Sequence, residues 1–76
     1  MPKFPSLKPR DVEKVLTKNG FHSLRQTGSH KIFYNSQTEK TVVVPFHSRD
    51  IPQGTIRSII KQSDLPEEQF LKKKKN

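Results

Sequence analysis

Apolar residues recur along this chain in two helical stripes that bracket three short β-rich runs. Val12, Val15 and Leu16 fall at spacings of zero, three and four, which puts them on one face of a helix. Pro9 suits its first turn, Asp11 and Glu13 sit where a helix favours acids, and Asn19-Gly20 supplies a stop. The pattern predicts a helix over Pro9 to Lys18. Phe21 to Gln26 then reads as a short strand, Thr27-Gly28-Ser29 as a turn, and His30 to Asn35 as a second strand forming a hairpin with the first. Residues 35–40 are polar turn material, and Thr41 to Val44 is β-branched throughout, which predicts a third strand ending at Pro45. Ile56, Ile59 and Ile60 repeat the helical spacing behind a lead-in from Ile51 to Thr55 that contains Pro52. Pro66 to Leu71 reads as a short third helix, and Phe4 and Leu7 are candidates to tuck onto the core.

Helices and strands are segregated rather than alternating, so the expected class is α+β. A three-stranded antiparallel meander would be covered on one face by the two apolar helical stripes and left open on the other. That order has the shape of a double-stranded-RNA-binding domain, a likeness that carries no function by itself. Alternation puts His30, Ile32 and Tyr34 on one face of the second strand and Lys31, Phe33 and Asn35 on the other. Each set contains an apolar residue, so the pattern alone leaves the core face open. Phe33 facing inward with the valines is the preferred arrangement.

The length of 76 residues fits one domain with a modest core. Cysteine is absent, which excludes a disulfide framework and thiolate metal sites. No apolar run reaches the length of a membrane span and no apolar signal segment opens the chain, so a soluble, cytoplasmic protein without membrane association is expected. Charge alters the picture more. The formal net charge is +8, and residues 1–71, with eleven basic and seven acidic residues, still carry +4 without the terminal lysine run. Between Phe21 and Arg49 the basic residues Arg25, Lys31, Lys40 and Arg49 face a single acid, Glu39. Such a domain is drawn to polyanions, chiefly nucleic acid.

Candidate chemistry centres on the histidine in Gly28-Ser29-His30. A glycine-led turn delivers it to the first position of a strand, a rigid carrier, and the ordinary histidine pKa near 6.5 suits proton transfer at neutral pH. RNA carries its own nucleophile in the 2′-hydroxyl. Cleavage then needs a base for that proton, an acid for the 5′-oxygen and positive charge at the phosphate. His30 could fill either proton role, and Arg25, Lys31 or Arg49 could hold the phosphate, with Ser29 as a hydrogen-bonding aid. No cofactor is called for, and no carboxylate or histidine cluster has metal-ligand spacing. His47, just past the third strand, is a further site candidate, whereas His22 reads as structural or solvent-facing. The plainer alternative, a half-exposed strand histidine after a turn, stays open on these residues alone.

Several motifs occur in a set order. Val15-Leu16-Thr17-Lys18-Asn19-Gly20-Phe21 comes first, then Arg25-Gln26-Thr27-Gly28-Ser29-His30. Thr41-Val42-Val43-Val44-Pro45-Phe46-His47 and Ile51-Pro52-Gln53-Gly54-Thr55-Ile56-Arg57-Ser58-Ile59-Ile60 follow. Together, over about Lys8 to Leu71, they resemble the HicA (YcfA-like) family of mRNA interferase toxins. The resemblance implies a double-stranded-RNA-binding-like α+β fold and metal-independent cleavage of mRNA within a toxin–antitoxin system. It also implies neutralisation by a cognate HicB-like antitoxin that covers the active surface, so that a monomer when free becomes a hetero-oligomer with its antitoxin. The catalytic histidine it points to is His30, and His47 matches a second recurrent position of unassigned role. A non-catalytic RNA-binding module and an inactive relative acting through protein contacts are the alternatives.

Overall fold

The computed structural model describes residues 5–46 and 49–71. Phe4, His47 and the terminal lysines lie outside the described residues. The order is α1 (Pro9–Lys18), β1 (His22–Thr27), β2 (His30–Asn35), β3 (Lys40–Pro45), α2 (Gln53–Ser63) and α3 (Glu68–Leu71). The strands form one antiparallel sheet in the order β1-β2-β3, so the expected α+β, double-stranded-RNA-binding-like arrangement is the one found.

α1 begins at Pro9, and the Asp11 carboxylate accepts the backbone N–H of Lys8 at 2.9 Å, which satisfies a donor the helix start leaves over. Its end is a closed cap. Phe21 N–H donates to Leu16 C=O at 3.0 Å and Gly20 N–H to Thr17 C=O at 3.3 Å, while Gly20 sits at φ +93°. This cap keeps Phe21 with the helix, so β1 starts one residue later than the apolar pattern predicts. Phe21 and Leu16 are both buried, the hydrophobic contact that accompanies such caps.

The β1–β2 turn is Gly28-Ser29, closed by the Thr27–His30 pair. Gly28 has φ +60° and no non-glycine residue of the turn has positive φ, the pattern of a type II′ hairpin. A bulge between Ser23 and Arg25 leaves Leu24 without a partner on β2. At the other end of the sheet Asn35 is buried. Its Nδ2 donates to Asn19 C=O at 3.1 Å, and its Oδ1 accepts the N–H groups of Gln37 and Thr38 at 2.9 and 3.2 Å. One side chain thus shapes the β2–β3 turn and ties it to the end of α1.

The core gathers Val12 and Leu16 of α1, Phe33 of β2, Val42 and Val44 of β3, Ile56 and Ile59 of α2, and Phe70 of α3. Phe33 faces inward, as preferred, with Lys31 and Asn35 on the same side of β2. Leu7 is also buried, and Ile51 N–H donates to its carbonyl at 2.8 Å. Beside this contact Lys8 Nζ meets Asp50 Oδ1 at 3.1 Å, so the segment ahead of α1 is joined to the connection ahead of α2.

Two outcomes are expected in urea or thermal unfolding. A Cβ at Gly20 would lie 3.0 Å from Asn35 Nδ2, and the backbone there is left-handed. Gly20→Ala should therefore lose about 1–3 kcal/mol, and Asn35→Ala a similar amount. The double variant should lose less than the sum, because the clash disappears with the amide; additive losses would refute the coupling. At Gly28 a Cβ meets nothing within 4 Å, so strain alone sets the cost. Gly28→Ala should lose about 1 kcal/mol, and Gly28→Asn clearly less, since asparagine tolerates positive φ.

Candidate functional site

The turn at Gly28-Ser29 and the two ladders beside it hold His30 in place. His30 is the first residue of the central strand, opposite Thr27 on β1 and Pro45 on β3. One residue back, the Ser29 carbonyl accepts the Phe46 N–H, which continues the β2–β3 ladder beyond the strand. The backbone is therefore held from both sides, while the imidazole is exposed and has no hydrogen-bond partner among the described residues.

Three cross-strand rows make up the outer face of the sheet, the one no helix covers. Thr27, His30 and Pro45 form the row at the turn. Arg25, Ile32 and Val43 form the middle row, and alternation from the inward Ser23 brings the bulged Leu24 to the same side. His22, Tyr34 and Thr41 form the last, where the His22 and Tyr34 rings meet edge to face with centroids 6.2 Å apart. Arg25 is diagonal to His30 across the β1–β2 ladder, a spacing of roughly 7–8 Å that a guanidinium spans. Apolar surface lies beside the histidine, with Leu24 57% and Val43 39% exposed.

The other basic candidates sit elsewhere. Lys31 points to the opposite face. Its ammonium pairs with Glu13 Oε2 at 2.9 Å and lies 4.7 Å from the Phe46 ring centroid and 5.9 Å from that of Phe33. Ser29 is half-buried in the turn, and Arg49 is exposed in the β3–α2 connection next to Asp50. Among the described residues no group of three or more His, Cys, Asp or Glu side chains could hold a metal ion. The helices there are too short and polar to cross a membrane.

One feature of the opposite face goes unmarked by motif reasoning. Arg10, Glu13, Lys14 and Thr17 follow one another at helical spacing along α1, beside the buried stripe of Pro9, Val12 and Leu16. They border a shallow groove whose far wall is Gln26, Lys31 and Phe46. A helical wheel of α1 would have found the stripe, though not what lies across from it.

Arranged this way, the hairpin end of the outer face can present the His30 imidazole and the Arg25 guanidinium to a polyanion from fixed positions. Comparison with curated proteins gives no match. The family profile described as the HicA toxin of bacterial toxin–antitoxin systems matches residues 9–65, from the first residue of α1 to just past the end of α2, and so takes in every strand of the sheet and the Gly-Ser-His turn. The chain therefore belongs to the HicA toxin family of bacterial toxin–antitoxin systems.

Proposed function

We propose that this toxin is a metal-independent endoribonuclease that cuts mRNA by histidine acid–base chemistry at His30, and that a HicB-like antitoxin silences it by covering the same face. The observation that carries the reading is the placement of His30: an exposed imidazole on a backbone held from both sides, with Arg25 diagonal to it on an uncovered sheet face.

In this reading an RNA phosphodiester lies along the row at the turn. His30 takes the proton of the 2′-hydroxyl or gives one to the departing 5′-oxygen. The 2′-oxygen bonds to phosphorus as the bond to the 5′-oxygen breaks, leaving a cyclic phosphate and a 5′-hydroxyl. Arg25 faces the charge that builds on the phosphorane oxygens, where a fixed cation contributes most. Ser29 and Arg49 flank the same end of the sheet in sequence, and His47 joins them as an RNA contact by its motif position. The rate term assigned to His30 is that of one proton-transfer group, about 10²–10⁴-fold.

Antitoxin docking draws support from the apolar middle row. Leu24, Ile32 and Val43 next to a charged site suit a protein partner that buries them. RNA and antitoxin would then compete for one surface.

Two measurements test this. In EDTA, the parent protein should cleave a single-stranded mRNA fragment and His30→Ala should be slower by 10²-fold or more. A parent that binds RNA but leaves it intact defeats the enzyme reading in favour of a binding module, and equal cleavage by both proteins removes His30 from the chemistry. Induced expression should arrest growth, and His30→Ala should not. Co-expressing a cognate HicB-like antitoxin should restore growth, and Val43→Glu should weaken that rescue while leaving the arrest in place. Unchanged rescue would exclude the apolar row from the interface.

A further inference from the structure

The groove between α1 and the underside of the sheet has no part in the chemistry above. Its α1 wall carries Arg10 and Lys14, both exposed and without an ion pair among the described residues. Across it Lys31 is already matched by Glu13 at 2.9 Å. The groove therefore offers two uncompensated cations beside an ion pair that joins its two walls. Thr17 and Gln26 add polar groups to its walls. Arginine is a good helix former, but the charge of Arg10 is not explained by the helix end it occupies. It stands in the first turn of α1, where the helix dipole disfavours a cation.

Position in the fold says which polyanion fits. Lys31 directly follows His30 on β2, and Gln26 directly precedes Thr27, the residue paired with His30. The groove thus opens at the hairpin end of the sheet, underneath the exposed imidazole. We propose that it is a second binding site for the phosphodiester backbone of single-stranded RNA. The strand whose scissile phosphate lies at His30 bends round the Gly28-Ser29 turn and sets later phosphates against Arg10 and Lys14. The proposal rests on the RNA reading above and extends it: one face does chemistry, and the groove behind it holds the strand. It also gives Lys31 a place beside RNA on the face where its side chain points, at the mouth of the groove rather than at the reacting phosphate.

The test uses the whole chain and a labelled single-stranded RNA of about twelve nucleotides, 2′-O-methylated throughout. Such RNA cannot be cut, so binding is read whether or not His30 is catalytic. Arg10→Glu/Lys14→Glu should bind about tenfold more weakly at moderate salt. Its slope of log affinity against log salt should fall by about 1.4, the value for two lost phosphate contacts on a single strand. Both substitutions are exposed, and an acid near the helix start is favourable, so the fold should hold by circular dichroism. A control of equal charge change, Lys40→Glu/Lys61→Glu, alters the opposite end of the sheet and α2 and should have a much smaller effect. A uridylyl trinucleotide is too short to reach round the turn and should bind parent and groove variant alike. Unchanged RNA affinity and slope would overturn the proposal. So would an equal loss in the control, which would mean net charge alone. Affinity lost for poly-glutamate but kept for RNA would also overturn it, marking a protein site.

Discussion

The carboxamide of Asn35 is the contact on which the rest of the arrangement depends. It is buried, and its polar atoms are matched by Asn19 C=O and by the N–H groups of Gln37 and Thr38. An unmatched amide there would cost about 1–3 kcal/mol, a large share of what so small a core supplies. Asn19 in turn donates to Val15 C=O at 2.7 Å and to Gln69 Oε1 at 3.3 Å, so the end of α1, the last turn of the sheet and α3 meet in one polar cluster. Gly20 lets α1 turn back close enough to touch it. With α1 and the sheet fixed there, the far end of the sheet, where His30 stands, inherits a defined orientation relative to α1.

That arrangement explains how a domain with few apolar residues keeps one face of its sheet open. Among the described residues, every fully buried side chain lies on the helix side of the sheet or in a helix. The outer face is freed from core duty, so it can carry a histidine, an arginine and exposed apolar groups together. Substitutions at its exposed positions remove little from the core. β1 shows this in the extreme: none of its residues is buried, and it is retained by its ladder to β2.

Much of this could be read from the chain itself, because local signals agreed with the global fold. Pro9 and Asn19-Gly20 mark α1 without ambiguity, and Gly28-Ser29 marks the turn that sets His30. Other features left no local trace. The bulge at Leu24 has no glycine or proline to announce it. The side of β2 that faces the core could not be decided from alternation alone, since Ile32 and Phe33 are both apolar; packing against the valines of β3 decides it. Alternation already puts Lys31 on the face opposite His30; what the chain leaves unmarked is its partner there, Glu13, eighteen residues away on α1. The groove escaped notice because its walls come from residues far apart along the chain, and each wall alone reads as an ordinary polar surface.

The edges of the sheet differ in one more respect. On β3 the outward N–H of Val43 is taken by Gln62 Oε1 at 3.1 Å, and Gln62 is itself steadied by Ser58 Oγ at 3.2 Å. Among the described residues the outer edge of β1 has no such side-chain cover, although its bulge breaks the regular run of donors and acceptors. Growth of a sheet from molecule to molecule requires two receptive edges, one to give and one to take. With the Val43 donor taken by a side chain, the β3 edge is less receptive to an added strand than a bare edge would be. Gln62 thus blunts a β-branched edge with a neutral side chain, leaving the charge of the outer face unchanged.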